Sequence, residues 1–217
     1  MALSLLPATA LASEPQDNGT WAEAVTGQSA GYTVDDDGNV DISAAEGLAW
    51  LAKQVDAGND FSGKTVTLTD NIDLSGREWI PIGTSEHQFS GIFDGGQNTI
   101  SNLTVNRPAQ SDVGLFGFTS GGEVKNFTLR NAKITGYLDV GAVAGTPYTS
   151  KYTDISITGL IQVDGYAYVG GALGKNAYAD ITNVDVTGDP DSYVKAESRT
   201  TVPMWAALWV LWGKAVM

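Results

Sequence analysis

Two aspartates stand where a pair of side chains could bind a cation. Asp112 and Asp139 each come directly before a Val-Gly dipeptide, and they are 27 positions apart. If these segments stack in register, the carboxylates lie about 4.8 Å apart, where they repel each other unless a cation lies between them. The pattern therefore allows a calcium site. Two solvated turn carboxylates are the simpler interpretation, and we favour it.

Other reactive side chains are scarce. The chain has no cysteine and one histidine, His87, which excludes thiolate catalysis, disulfides and any mechanism that needs several imidazoles. A metal-dependent lyase would need carboxylates with a basic residue nearby, and Arg130 and Lys133 are the basic residues close to Asp139 in sequence. A glycosidase needs two facing carboxylates, which 25 acidic residues supply by chance. The sequence therefore predicts no catalytic residue and no cofactor beyond the calcium alternative.

Aromatic side chains are the other candidates for binding. Tyr148, Tyr166 and Tyr168 lie in turn-rich segments, where their rings could stack on a sugar or a protein partner. The remaining tyrosines and tryptophans are more typical of core or rim packing. These three tyrosines are our candidate ligand-binding residues, and a glycan or a host or cell-surface protein is the expected partner.

The charge of the chain excludes several partners. Its net charge is -13, and its 12 basic residues form no cluster, so we expect no binding to nucleic acid. An acidic surface is also a poor match for anionic lipids. The longest apolar run lies near the C-terminus and is shorter than the 20 or so residues that span a membrane, so we predict no transmembrane span.

An internal repeat is the strongest pattern in the chain. Val113-Gly-Leu-Phe-Gly117 recurs at 140–145 and 169–174, with spacings of 27 and 29 residues between the valines. Each copy is followed by two further apolar segments that also align: 124–129 with 152–157 and 181–186, and 134–136 with 163–165. A fixed period with about three short strands per unit predicts an all-β, right-handed parallel β-solenoid.

Two sets of residues recur at fixed positions of this repeat. The glycines suit tight corners or close approach of backbones, and they are Gly114, Gly117, Gly141, Gly145, Gly170 and Gly174. Asn126, Asp154 and Asn183 share one register, and aligned turn residues of this type can hydrogen-bond from one coil to the next. We interpret both sets as structural.

One helix precedes the repeats. Ser43-Ala-Ala-Glu46 fits a capping box, and Leu48, Leu51 and Val55 follow at helical spacing. The predicted organisation is a signal-peptide remnant over 1–12, a polar segment over 13–40, a helical cap with the first coils over 41–110, repeat coils over 111–201, and an atypical Trp-rich end over 202–217.

The two ends carry separate hypotheses. Residues 1–12 end in Ala10-Leu11-Ala12, a small-x-small cleavage site, which predicts a secreted or cell-surface protein, although the basic start of a signal peptide is missing. A fourth repeat is due near Val202, where a Trp-rich segment stands instead. We expect a reading-frame slip or an artificial gene end there, and self-association through an exposed or Trp-covered end of the solenoid.

The repeats resemble those of the GLUG-motif proteins, named for Gly-Leu-hydrophobic-Gly. Gly114-Leu115-Phe116-Gly117 fits that motif directly, and the resemblance extends over residues 40–200 through lead-in segments at 72–74, 79–83, 89–95 and 99–103. It implies a large secreted or surface-attached bacterial protein, adhesin-like, with right-handed β-helices. Similar repeats occur beside the catalytic domains of some streptococcal immunoglobulin proteases. The resemblance supplies no catalytic residue.

The sequence therefore predicts a non-catalytic secreted or cell-surface module, for adhesion, ligand binding or spacing in a larger bacterial protein. The alternatives are a polysaccharide-active β-helix enzyme and an accessory domain of a surface protease.

Overall fold

The strands of the chain stack as the coils of a parallel β-solenoid. The structure, a computed structural model, describes residues 19–25 and 31–197. It forms about five turns, is mostly strand and contains about 9% helix, which confirms the predicted fold class. The predicted signal-peptide remnant at 1–12 and the Trp-rich end at 202–217 lie outside the described residues.

Two helices and 14 strands make up the described residues. The helices are α1 (Trp21–Ala24) and α2 (Ala45–Asp56). The strands are β1 (Tyr32–Val34), β2 (Val40–Ile42), β3 (Thr65–Leu68), β4 (Ile72–Asp73), β5 (Ile92–Asp94), β6 (Thr99–Asn106), β7 (Phe116–Ser120), β8 (Glu123–Thr135), β9 (Leu138–Gly141), β10 (Ala144–Tyr148), β11 (Lys151–Gly165), β12 (Ala167–Gly170), β13 (Asp180–Gly188) and β14 (Tyr193–Ala196).

The faces of the solenoid are parallel sheets that run across the coils. One sheet follows the order β2-β3-β5-β8-β11-β13, with β1 added antiparallel at its edge. Strand β6 pairs with the later half of β8, β4 pairs with β6, and β14 pairs with the later half of β11. Strands β7 and β10 form a separate pair, as do β9 and β12. The second and third predicted strands of the first two repeats are therefore one long, bent strand each, β8 and β11, whereas the third repeat has the separate strands β13 and β14.

The register of these sheets matches the repeat found in the sequence. Val124 lies beside Tyr152, which lies beside Ile181 on the next coil. Ile134 lies beside Val163, and an isolated bridge joins Val113 to Val140. The aligned apolar side chains point inwards, because alternate residues of a strand face opposite sides. Each coil therefore completes the core of its neighbours.

The interior of the solenoid is apolar and contains a run of aromatic rings. Successive centroids lie 3.9 to 6.3 Å apart, and the run comprises Tyr32, Trp50, Phe61, Phe89, Phe116, Phe93 and Phe127. The polar atoms of buried aromatic residues find partners: Trp79 Nε1 donates to the Leu115 carbonyl at 3.0 Å, and the hydroxyls of Tyr152 and Thr119 share a hydrogen bond of 2.8 Å. Burial raises the pKa of the Tyr152 hydroxyl, so it stays protonated.

Helix α2 packs its apolar face on the first coils, as its sequence spacing predicts. Leu48, Leu51 and Val55 are fully buried. The predicted capping box at Ser43 is wrong, because the N-cap is Ala44 and no side chain caps the helix. Ser43 still belongs to the preceding strand region, where its backbone N–H donates to the Gly31 carbonyl at 2.8 Å.

The six repeat glycines allow backbones of successive segments to touch. A Cβ on Gly114 would lie 2.4 Å from the Gly141 carbonyl oxygen, and one on Gly145 would lie 2.4 Å from the Val113 nitrogen. A Cβ on Gly117, Gly141, Gly170 or Gly174 would likewise lie 2.0 to 2.5 Å from a backbone atom. None of the six has a positive φ. Glycine is therefore required at these positions because neighbouring backbones approach closely, and not because of a turn conformation.

The last described coil buries less than the others. Ile181 is 45% exposed, whereas its partner Tyr152 in the preceding coil is fully buried. Val184 and Val194 are half-buried. Within the described residues, β13 and β14 pair with β11 alone, so they form the open edge of the sheet.

Candidate functional site

Polar residues in the left-handed conformation form the corners of the coils. Asn126, Asp154 and Asn183 have φ values of 59°, 55° and 58°, and the strand register places them in one column, as predicted. Asn and Asp tolerate this conformation better than other non-glycine residues. Asn183 Nδ2 donates to Asp154 Oδ1 at 2.8 Å, and Asn126 Nδ2 donates to Asp94 Oδ1 at 3.1 Å.

A second column of this kind was missed by the sequence analysis. Asn102 Nδ2 donates to Asp73 Oδ1 at 2.8 Å, and Asn131 Nδ2 donates to Asn102 Oδ1 at 3.2 Å. Asn131 Oδ1 in turn accepts from the Leu160 N–H at 3.1 Å. Hydrogen bonds hold the pKa of Asp73 below its usual range, with that from Asn102 the strongest. The 29-residue spacing of Asn102 and Asn131, equal to the repeat, was the available signal.

The third column contains the predicted calcium candidates. Asp112, Asp139 and Tyr168 have φ values of 58°, 56° and 55°. The bridges of the valines that follow them put all three in one register. The structure therefore brings together two candidate metal ligands and one candidate ligand-binding tyrosine.

The two aspartates of this column are partly withdrawn from water. Burial raises the pKa of Asp112, although a hydrogen bond from the Thr146 hydroxyl and the charge of Lys175 oppose it. Burial likewise raises the pKa of Asp139. The positive charge of Lys175 lowers this pKa, and repulsion from Asp112 raises it further. Asp139 Oδ1 is buried and has no hydrogen-bond partner among the described residues.

Lys175 supplies the positive charge beside this pair. Its ammonium group also lies 5.9 Å from the centre of the Tyr168 ring, in cation–π geometry. Lys175 is not among the residues predicted from the sequence, because it follows the third glycine motif with no pattern of its own. In the described residues no group of three or more acidic, histidine or cysteine side chains is arranged to hold a metal ion.

The candidate tyrosines are exposed but contact other rings or charges. Tyr166 stacks on Tyr137 of the preceding coil, with centroids 5.3 Å apart and planes 21° apart. Tyr148 lies between Phe118 and Tyr178, at 6.5 and 6.3 Å. Tyr148 and Tyr166 are 44% and 45% exposed. Both rings are therefore partly covered by neighbouring aromatic residues and partly exposed to solvent.

An open groove of about 470 Å³ follows the Asn102–Asn131 column across four coils. We call it the ladder groove. Its lining residues are Ser75, Gly76, Asn102, Leu103, Thr104, Asn131, Ala132, Lys133, Leu160 and Gln162. No carboxylate is among them. A second cavity, of about 120 Å³, lies at the β1–β2 hairpin, and neither cavity is lined by Asp112 or Asp139.

The fold and these columns define the described residues as a β-solenoid whose polar corner residues are largely bonded to each other. None of the helices in this part of the chain has the length and apolar character needed to cross a membrane.

Two curated proteins are similar to part of this chain. It is 43% identical over 104 residues to Halomucin of Haloquadratum walsbyi, which covers 47% of the chain and 1% of that protein. It is 31% identical over 121 residues to a Gly-rich membrane protein of Evansella cellulosilytica, which covers 56% of the chain and 11% of that protein. The chain thus spans a small part of either relative. No family model matches the sequence, and no solved structure matches it significantly.

Proposed function

We propose that this chain is a non-catalytic repeat module of a secreted or surface protein, which presents a binding face along a rigid rod. The observation that carries this proposal is the use of the polar corner residues. The carboxylates of Asp73, Asp94 and Asp154 accept hydrogen bonds from amides of the following coil. Side chains that stabilise the rod in this way are held by their neighbours and are poor candidates for catalysis.

The names of the two relatives support the same assignment. One is named Halomucin and the other is named as a Gly-rich membrane protein, and both are far longer than the matched segment. A repeated rod segment within a long surface protein is consistent with both. We extend this to the chain as a proposal, together with membership of the GLUG-motif repeat family, on the strength of Gly114–Gly117.

Binding and turnover assays test the proposal together. The purified chain is screened on an array of glycans and surface proteins, and against neutral and uronate polysaccharides with and without calcium. We expect binding without release of reducing ends or unsaturated products. Turnover that is lost in Asp112→Asn or Asp139→Asn would instead establish the polysaccharide-active enzyme, for which the adjacent carboxylates with raised pKa are the supporting observation.

Location is tested on intact cells of the source organism. A surface protein is cut by added protease and labelled by an antibody against the chain, whereas a cytoplasmic marker is protected. Protection of the chain along with the marker would contradict the surface assignment.

A further inference from the structure

We propose that the ladder groove binds a linear, uncharged polysaccharide laid parallel to the solenoid axis. The inference rests on the proposed function as a binding module, and it names the site and the ligand class. Four observations support it: unpaired side chains in register, a floor fixed by hydrogen bonds, a matching repeat length and the net charge of the chain.

Three consecutive coils present an unpaired polar side chain at the same position of the groove. Thr104 lies beside Lys133, and Lys133 lies beside Gln162. Their strand neighbours Leu103 and Ile161 are fully buried, so these three side chains point outwards. None of the three side chains has a hydrogen-bond or ion-pair partner among the described residues, in contrast to the adjacent asparagine column.

The floor of the groove is fixed before any ligand binds. The amides of Asn102 and Asn131 are bonded to each other, and the ladder continues to Asp73 on one side and the Leu160 backbone on the other. These residues cannot rearrange without breaking the ladder. A rigid floor lowers the entropy cost of binding, because few protein groups must become ordered.

The repeat of the groove matches an extended glycan. Neighbouring parallel strands lie about 4.8 Å apart, so the four coils from Ser75 to Gln162 present a site about 14 Å long. One strand spacing is close to the length of one pyranose unit in an extended chain. Each coil can therefore offer a hydroxyl, ammonium or amide to successive sugars, and Leu160, which is 39% exposed, offers an apolar contact to a C–H face.

The net charge of the chain favours an uncharged polymer over an acidic one. The lining contains no acidic residue, although the chain has 25, and Lys133 is its one charged side chain. The net charge of -13 disfavours a polyanion over the whole surface. Hydroxyl groups avoid that repulsion and still pair with all three unpaired side chains.

A double substitution in the groove and a matched one outside it test the proposal. Lys133→Ala/Gln162→Ala removes two of the unpaired side chains. Lys53→Ala/Gln54→Ala removes the same residue types from helix α2, where neither side chain has a hydrogen-bond partner among the described residues. Circular dichroism and thermal melting confirm that both variants fold. Calorimetry then measures binding of cellohexaose, xylohexaose and mannohexaose, with hexagalacturonate as the acidic comparison.

We expect at least one neutral hexasaccharide to bind the parent chain and to bind the groove variant about tenfold more weakly, as the loss of two hydrogen bonds implies. The α2 variant keeps the parent affinity. Trisaccharides retain most of the affinity, because the groove spans about three units.

Each of the other outcomes contradicts either the groove proposal or the proposed function. If a neutral hexasaccharide binds both variants equally, it binds outside the groove. This result refutes the groove proposal and leaves the proposed function as a binding module standing. Binding of hexagalacturonate alone, lost in the groove variant, refutes the uncharged ligand. If none of the hexasaccharides binds while a surface protein binds, the groove proposal fails and the module function stands. No binding of any kind contradicts both.

Discussion

At the scale of single residues, the contribution of each aspartate depends on whether its carboxylate has a hydrogen-bond partner. Asp154 and Asp73 accept hydrogen bonds from aligned asparagines. Asp139 lies in an equivalent corner, yet one of its carboxylate oxygens is buried without a partner in the described residues. An aspartate at a left-handed corner thus stabilises the rod at Asp154 and carries an electrostatic cost at Asp139.

We expect Asp139→Asn to stabilise the protein at neutral pH. Burial raises the pKa of Asp139 above its value of 3.8 in the unfolded chain, so the folded state binds the proton more tightly. Stability contributed by this group is therefore present at low pH and is lost as pH rises through the folded pKa. The asparagine removes the charge and tolerates the left-handed backbone.

Thermal melting from pH 3 to pH 8 measures this effect. The gain in Tm should be largest near pH 7 and vanish below about pH 3.8, the unperturbed value. Asp185→Asn, at an exposed position of β13, controls for loss of one negative charge. A lower Tm for Asp139→Asn would mean that attraction to Lys175 outweighs burial. Stabilisation of the parent by calcium, absent in Asp139→Asn, would establish the calcium site.

At the scale of elements, the left-handed corner residues allow one strand to bend and continue from one face of the solenoid to the next. Strands β8 and β11 each serve two faces of the solenoid, and the left-handed residues Asn126, Asn131 and Asp154 lie within them. A bend made by one residue in this conformation keeps the backbone hydrogen bonds on both sides. The amide side chain then links the corner to the next coil.

Substitutions at Asn126 separate the two contributions of a corner residue. Asn126→Gly removes the hydrogen bond to Asp94 and keeps the backbone conformation, at a cost of about 1 kcal/mol. Asn126→Ala also forces a Cβ without a compensating amide into the left-handed region, which adds about 1–2 kcal/mol.

Urea denaturation measures the free energy of unfolding of the parent and of both Asn126 variants, and so gives both losses of stability. Asn106→Ala, on an extended and exposed position of β6, is the matched control and should cost less than either. Equal losses for the glycine and alanine variants at Asn126 would show that the conformation contributes nothing there.

At the scale of the whole molecule, the protein is an acidic rod whose charges repel. The net charge is -13 over 217 residues, because 25 acidic residues outnumber 12 basic ones. We expect the Tm to rise as NaCl increases from about 10 mM to about 0.5 M, because the Debye length falls from about 30 Å to a few Å. Repulsion between distant carboxylates is screened first, and that between carboxylates on neighbouring coils is screened only toward the upper end of this range.

Melting curves in NaCl and KCl at equal ionic strength measure this, with EDTA present to exclude divalent ions. The two salts should act equally if screening is the cause. A Tm that is independent of salt, or that falls, would show that the ion pairs outweigh the repulsion.

The solenoid could be predicted from the amino-acid sequence, because its signals are local and repeated. The glycine motif and the apolar segments at 124–129 and 152–157 fixed the register that the strands adopt. The asparagine column at Asn126 followed from the same alignment. Each of these follows from the repeat, since a coil that must bury its apolar side chains can stack in few ways.

Which polar groups are paired could not be predicted in this way, because it depends on the three-dimensional fold. Lys175 reaches Asp139 and Tyr168 from another part of the coil, and no spacing in the sequence indicated this. The ladder groove likewise depends on one outward position of three coils being left unpaired while its neighbours at Asn102 and Asn131 are bonded. Pairing is a property of distances between side chains, and repeats constrain backbones more closely than they constrain the side chains on the outer face.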